Sequence, residues 1–134
     1  MLSTEVRLIL RGSRRYSTPI DIWSIGCIFA EMTMLRPLFP GDSGIDELLR
    51  IFRLLGTPDE DLWPGVALLR DYQAAFPTWA PKPLGEVITG MDAAGLDLIA
   101  QTLVYEPSRR FSAKAAMHAR YFDDLDKTPF TRDA

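Results

Sequence analysis

The strongest pattern in the chain is a nearly continuous apolar stretch between residues 17 and 34. Its apolar members are Ile20, Ile22, Trp23, Ile25, Cys27, Ile28, Phe29, Ala30 and Met32. Thr18 is a favourable N-cap, Pro19 suits the first helical position, and Asp21 completes a capping box three residues after Thr18. We predict a helix from Thr18 to about Met34. Because its apolar residues surround the helix axis, we expect it to be the central helix of the core.

A second helix is predicted to begin near Ser43, with Asp46 three residues later. Its apolar positions recur at the spacing of one helix face: Ile45, Leu48, Leu49, Phe52 and Leu55. Gly56, followed by Thr57-Pro58, is a typical helix end. This segment therefore reads as an amphipathic helix with one face in the core.

The rest of the chain carries shorter helical patterns separated by proline and glycine. We predict a short helix from Thr57 to Pro64-Gly65, an irregular segment over residues 66–90, a helix capped by Asp92, and a last helix capped by Ser112 that runs from Ala113 to about Arg120. The rings expected to anchor the irregular segment are Tyr72, Phe76 and Trp79. The inward positions of the helix after Asp92 are Leu96, Ile99, Ala100 and Leu103. Strand patterns are nearly absent, so the fold class is predicted to be all-α.

The amino-acid composition excludes several classes of protein for this chain. The chain has 134 residues, a net charge of −3, 47 % hydrophobic residues and 25 % charged residues, as expected of a globular domain. The mild acidity argues against a nucleic-acid partner. The longest uncharged apolar stretch, Ile22 to Ala30, is nine residues, far below the ~20 of a membrane-spanning helix. A lone cysteine and no signal-peptide pattern predict a soluble intracellular protein of the cytoplasm or nucleus, without a membrane partner.

Several motifs in the same order closely resemble protein kinases. Residues 12–32 are similar to the region just past the activation segment and to the central helix of the large lobe. The continuation resembles cyclin-dependent kinases in particular, in the segments 37–43, 50–60, 63–66, 76–79 and 107–113. The resemblance implies a partial kinase domain over residues 12–122, the lower part of the all-α large lobe. A divergent start covers residues 1–11, and a polar tail covers residues 123–134.

The parts that perform phosphoryl transfer in this family are absent from the sequence. These are a Gly-rich loop over the phosphates, a strand lysine, a His-Arg-Asp loop and a metal-binding Asp-Phe-Gly. The glycines never take the G-x-G-x-x-G spacing, and the one histidine, His118, is followed by Ala119-Arg120. We therefore predict no catalytic residues, and no ATP, Mg²⁺ or other metal bound by this chain, although the complete family domain uses ATP and magnesium. We expect no phosphoryl transfer by this chain alone and no cyclin contact.

Two charged residues have structural roles in the family. In the family, the aspartate that matches Asp21 holds the backbone of the catalytic loop. In this chain, a capping role at the start of the helix is the simpler interpretation. Arg110 matches a buried arginine whose glutamate partner falls on Leu8 when counted back from Gly12. Loss of one member of a buried pair costs about 3–5 kcal/mol if the other stays buried. We expect either that Glu106 replaces the partner or that this corner loosens.

The resemblance also implies a docking surface for small Cks-type regulatory proteins. The matching positions are Asp42, Ser43, Ile45, Asp46 and Leu49, together with Asp71 and Tyr72. An exposed apolar side chain flanked by carboxylates suits docking, and the alternative is a solvated acidic face. The alternatives for the whole chain are a non-catalytic binding module and a truncated gene product without an independent role.

Three further expectations concern single features. Cys27 is expected to be an inert thiol, because nothing near it in sequence would lower its pKa. His118 is expected to be structural or exposed, because no second metal-ligating residue lies at a suitable spacing. The helix over residues 18–34 is apolar on every side, and in the family the missing half covers one side. We therefore predict an exposed apolar patch and self-association through it.

Overall fold

The structure, a computed structural model, describes residues 18–66, 76–126 and 128. Within these ranges it is helical and contains no β-strand, which confirms the all-α prediction. The α-helices are α1 (Thr18–Met34), α2 (Gly44–Leu55), α3 (Leu84–Val87), α4 (Ala93–Thr102) and α5 (Ala113–Met117). Two 3₁₀ helices cover Pro107–Arg109 and Arg120–Phe122.

Helix α1 is the longest described helix and packs mainly against α4. Gly26 of α1 lies so close to α4 that a Cβ atom at this position would overlap the side chain of Thr102. Thr18 was predicted to be the N-cap of this helix, but it already belongs to the helix. The residue before Thr18 lies outside the described ranges. No helix in the described part of the chain is long and apolar enough to cross a lipid bilayer.

Helix α1 is buried on one side and exposed on the other. Ile22, Trp23 and Ala30 are buried, whereas Ile25 and Ile28 are exposed. The packing partners of α1 lie on one side of it, so residues on the opposite side remain in contact with solvent. This exposed side is the apolar patch that the sequence predicts.

The centre of the core is an aromatic cluster around Tyr105. The Tyr105 ring stacks near Trp63 and Trp23, with ring centroids 6.1 Å and 6.3 Å away, and lies edge-on to Phe52 at 6.2 Å. Its hydroxyl donates a hydrogen bond of 2.6 Å to the carbonyl oxygen of Gly56. The cluster thereby ties α1, α2 and the segment after α4 into one core.

Helix α2 begins and ends as predicted, with Ser43 as its N-cap and Gly56 as its C-cap. Its buried residues differ in part from the predicted stripe: they are Leu48, Ile51, Phe52 and Leu54, whereas Ile45 is exposed. The extended segment after residue 76 runs along α2, and the Lys82 amide donates to the Leu54 carbonyl at 2.9 Å. Ile51 and Leu54 are buried because α2 is covered from more than one side.

The segment between α2 and α4 is partly different from the prediction. The short helix expected after Thr57 is a turn, in which the Asp59 carboxylate accepts hydrogen bonds from the amides of Asp61 and Leu62. The segment between Pro58 and Pro64 is too short to form enough helical hydrogen bonds to offset the free-energy cost of helix nucleation. The segment expected to be irregular contains the single-turn helix α3.

Two of the three predicted anchoring rings lie within the described residues, and both make contacts. Phe76 lies edge-on to Phe52 with ring centroids 5.3 Å apart, and the Arg53 guanidinium lies 5.2 Å from the Trp79 ring. Tyr72 lies outside the described residues. The described part of this segment is therefore anchored by its rings, as predicted.

The last helices keep their predicted starts. Asp92 accepts from the Gly95 amide at 2.7 Å, and Ser112 accepts from the Ala115 amide at 3.0 Å. The last helix, α5, ends at Met117 rather than near Arg120 and is followed by a 3₁₀ turn. On α4, Ala100 is exposed instead of inward-facing.

Candidate functional site

The start of α2 holds five of the seven predicted docking residues in one small surface. The Ser43 hydroxyl accepts a hydrogen bond of 3.2 Å from the Asp46 amide. The Asp46 carboxylate in turn accepts from the Asp42 amide and from Nε of Arg50, both at 3.0 Å. The hydrogen bond from the Asp42 amide, and then that from Arg50, lower the pKa of Asp46 below its usual value. The loop and the first helical turn are therefore linked by hydrogen bonds of their own side chains.

These hydrogen bonds divide the predicted docking residues by role. Ser43 and Asp46 cap and brace the helix, and Leu49 is half-buried against the core. Asp42 and Ile45 are exposed. Ser43 is exposed as well, but its hydroxyl accepts the capping hydrogen bond. The side chains of Asp42 and Ile45 are thus the exposed ones that make none of these bracing hydrogen bonds, a distinction that helical spacing alone does not give.

The other two predicted docking residues, Asp71 and Tyr72, lie outside the described residues. Their position relative to the start of α2 therefore remains a prediction.

Asp21 lies in the first turn of α1 and is exposed. A carboxylate in this turn is favourable toward the partial positive charge at a helix N-terminus. This geometry is compatible with the simple helix-start interpretation of Asp21.

Arg110 is buried beneath the aromatic cluster. Its Nε donates to the Val104 carbonyl at 2.8 Å, and a terminal nitrogen donates to the Tyr105 carbonyl at 2.9 Å. The guanidinium also lies 5.2 Å from the centre of the Trp23 ring, a cation–π arrangement. Burial lowers the pKa of Arg110 to about 10. Backbone carbonyls and an aromatic face thus contribute to holding this cation.

Glu106 does not take the role of substitute partner for Arg110 that the sequence suggests. It forms an ion pair with Arg109, with Oε2 and Nε 2.7 Å apart. The other residue in that expectation, Leu8, lies outside the described residues. Successive arginines here have different roles, one half-exposed in a local ion pair and one buried.

A cleft of about 360 Å³ lies between α1 and the connection to α2. Cys27, Glu31 and Glu47 are among its lining residues. Burial, followed by the negative charges of Glu31 and Glu47, raises the pKa of Cys27 to about 12. The thiol therefore stays protonated near neutral pH and is a poor nucleophile, which agrees with the expectation of an inert thiol.

Among the described residues, no group of three or more His, Cys, Asp or Glu side chains is placed to hold a metal ion. His118 follows the last turn of α5 and is exposed. Its surroundings match the expectation of an exposed histidine.

One feature missed by the sequence analysis is an apolar groove of about 350 Å³ beside α1. Ile25, Ile28 and Met32 line one side, and Met117 and Phe122 are on the other. The spacing of three and four residues between the α1 members is a signal present in the sequence. The far wall is formed by chain about ninety residues away and could not be anticipated from that spacing.

The protein kinase domain family matches residues 5–122, which is most of the chain. The chain therefore belongs to the protein kinase domain family. The match includes residues 5–11, which the sequence analysis placed outside the resemblance. The helices described above are accordingly part of a kinase-like domain, in agreement with the helical architecture.

Proposed function

We propose that this chain is a docking module of the cyclin-dependent kinase type, which binds a small Cks-type regulatory protein and does not transfer phosphate by itself. The observation that carries the proposal is the start of α2, where Ile45 projects from a braced helix with Asp42 exposed beside it. The role would place the protein in the cytoplasm or nucleus. The proposed function involves neither a nucleic acid nor a cyclin.

The physical basis for docking is a preorganised surface. Because Asp46 already holds the Asp42 amide and Arg50, little conformational entropy remains to be lost there on binding. An exposed isoleucine beside a carboxylate suits a partner with a small apolar pocket rimmed by lysine or arginine. We expect Ile45 to supply most of the affinity and Asp42 to supply orientation and rate of association.

The second half of the proposal rests on chemistry. Transfer of a phosphoryl group requires groups that position the nucleotide and magnesium and a residue that orients the nucleophile. The sequence of this chain contains no G-x-G-x-x-G spacing, no His-Arg-Asp and no Asp-Phe-Gly. The residues of this chain can therefore form a kinase scaffold but cannot supply those positions.

Docking is tested by titrating the chain with a Cks-type protein and measuring Kd by calorimetry. Ile45→Asp is expected to weaken binding at least tenfold, and Asp42→Lys to weaken it less and to change its salt dependence. Leu125→Asp is the matched control, because Leu125 is 49 % exposed and Ile45 is 52 % exposed. Equal affinity of the wild-type chain and Ile45→Asp would exclude this surface.

The catalytic part is tested separately, with purified chain, magnesium ATP and a histone-like protein substrate. We expect no incorporation of phosphate above that of a heat-inactivated sample. Turnover that follows the chain through two different purifications would contradict the proposal, whatever the result of the docking experiment.

A further inference from the structure

A small pocket lies between α2, the connection from α1 to α2, and the segment that leads into α3. Its volume is about 180 Å³. Its apolar lining includes Leu38, Leu54 and Val87, and its cationic lining residues are Arg50, Arg53 and Lys82. Leu38 and Leu54 are buried, whereas Arg53 and Lys82 are exposed. This pocket, the basic pocket, therefore has an apolar floor and a positively charged rim.

The cations of the basic pocket are held in place by further contacts. Nε of Arg50 donates to the Asp46 carboxylate at 3.0 Å. The Arg53 guanidinium lies over the Trp79 ring, 5.2 Å from its centre, and a guanidinium held by its face keeps in-plane N–H groups for an anion. The Lys82 amide donates to a backbone carbonyl of α2 at 2.9 Å, which fixes the segment that carries this lysine. Less conformational freedom is therefore lost when an anion binds.

The charges around the basic pocket are unbalanced. Asp46 is bonded to Arg50 and compensates its charge. Among the described residues, neither Arg53 nor Lys82 pairs with a carboxylate, and no Asp or Glu lines the pocket. Three cations less one paired carboxylate leave two positive charges, in a chain whose net charge is −3. The positive excess is thus a local property of this site and favours an anionic partner.

The size and the lining of the basic pocket decide which kind of anion fits. Pockets for small-molecule ligands usually measure about 300–1,000 Å³, and the basic pocket, at about 180 Å³, is smaller. A free phosphate would contact the rim and leave the floor of Leu38 and Leu54 uncovered. One bulky apolar side chain covers this floor, and acidic residues next to it in sequence reach the rim. A peptide segment that combines both features matches the whole pocket, as an apolar anchor with a polar rim does in protein interfaces.

We propose that the basic pocket docks an acidic segment of a partner protein, in which one leucine-sized side chain is flanked by aspartate or glutamate. The apolar side chain packs against Leu38 and Leu54, and the flanking carboxylates pair with Arg53 and Lys82. The exposed docking residue at the start of α2, Ile45, does not line this pocket. The proposal therefore does not rest on the binding of a Cks-type protein.

The test uses the full chain and a fluorescein-labelled peptide of sequence Gly-Asp-Asp-Leu-Asp-Glu-Gly, with Kd measured by fluorescence anisotropy. Lys82→Glu and Arg53→Glu are each expected to weaken binding at least about tenfold, because each replaces an attraction by a repulsion. Arg36→Glu is the matched control, since it makes the same change of charge at an exposed arginine outside the pocket. It should change Kd by less than about twofold. Circular dichroism checks the fold, and Lys82→Glu should leave it intact because Lys82 is exposed.

Changes in the peptide separate the apolar anchor from the charges. Replacement of the leucine by serine should weaken binding about tenfold, because the floor of the pocket is then left uncovered. Replacement of the acidic residues by asparagine and glutamine should weaken binding and remove most of its dependence on salt. Inorganic phosphate, added at constant ionic strength, should not displace the original peptide.

The contrary outcomes are distinct. Equal affinity of the leucine and serine peptides, or displacement by inorganic phosphate, would show a site for any anion and overturn the proposal. An unchanged Kd in both Lys82→Glu and Arg53→Glu, or no binding to the wild-type chain up to ~1 mM peptide, would also overturn it. Binding of a Cks-type protein and its loss in Ile45→Asp are measured separately, so either proposal can fail without the other.

Discussion

We expect the hydroxyl of Tyr105 to make a measurable contribution to the stability of the core. It donates a hydrogen bond of 2.6 Å to the carbonyl of Gly56, a residue 49 positions away in sequence. Burial raises the pKa of Tyr105 well above its usual value, so the phenol remains a donor throughout the neutral range. Tyr105→Phe would leave the Gly56 carbonyl without this donor, which costs about 1–3 kcal/mol for a buried acceptor.

The Tyr105 ring contributes separately from its hydroxyl. It contacts Trp23, Trp63 and Phe52 with centroid distances between 6.1 and 6.3 Å. Each aromatic pair contributes about 0.5–1.5 kcal/mol beyond the area it buries. Tyr105→Leu removes these pairs as well as the hydrogen bond, so its loss in free energy of unfolding should exceed that of Tyr105→Phe by about 2 kcal/mol or more.

Urea unfolding at one fixed protein concentration measures both effects, followed by tryptophan fluorescence and by circular dichroism. Tyr121→Phe is the matched control. The Tyr121 ring also contacts an aromatic neighbour, Phe29, with ring centroids 5.1 Å apart. Its hydroxyl, however, donates no hydrogen bond to another described residue. Tyr121→Phe should change stability by less than about 0.5 kcal/mol. Equal losses for the two tyrosine-to-phenylalanine variants would refute the role assigned to the Tyr105 hydrogen bond.

Three further predictions concern the helices and the buried thiol. Gly26→Ala should lower the free energy of unfolding by about 1–3 kcal/mol, because the new methyl group would overlap the Thr102 side chain of α4. Gly85→Ala is the control in the same urea titration. Its methyl group would meet only Leu96 Cδ1, at 3.3 Å, so its effect should be close to zero. Cys27→Ala should make the free energy of unfolding less dependent on pH in the alkaline range. The pKa of Cys27 rises from 9.0 to about 12 on folding, so the thiol loses its proton first in the unfolded state. Between pH 9 and about 12, the free energy of unfolding of the wild type should therefore fall by up to ~1.4 kcal/mol per pH unit relative to the variant. Ser43→Ala should cost about 1 kcal/mol by removing the N-cap of α2; no change in the urea midpoint would show that the cap is dispensable.

The helix starts were predictable from the sequence because capping is local. Ser43, Asp92 and Ser112 each accept a hydrogen bond from the amide three residues later, as their positions before apolar segments indicated. A side chain three residues from its partner finds it whatever the rest of the chain does. Gly56 ended α2 for a similarly local reason.

Predictions of buried faces were less complete. Helical spacing placed Ile45 inward and overlooked Ile51, because spacing defines an apolar side but not how many segments cover it. The segment around Lys82 reaches α2 from nearly thirty residues away. On α4, Ala100 was assigned inward and is exposed, since a small apolar residue is tolerated in either environment.

The sequence by itself determined the fold class, most of the helix starts and the kinase resemblance, all of which depend on residue types at short spacings. Only the tertiary structure decided that Arg110 lies against Trp23 and donates to backbone carbonyls, and that Asp46 braces a helix start while Ile45 projects from it. It also decided which residues of α1 form the open apolar side, namely Ile25, Ile28 and Met32. The physical reason is that burial and electrostatic environment are set by contacts between distant segments, which no local spacing encodes.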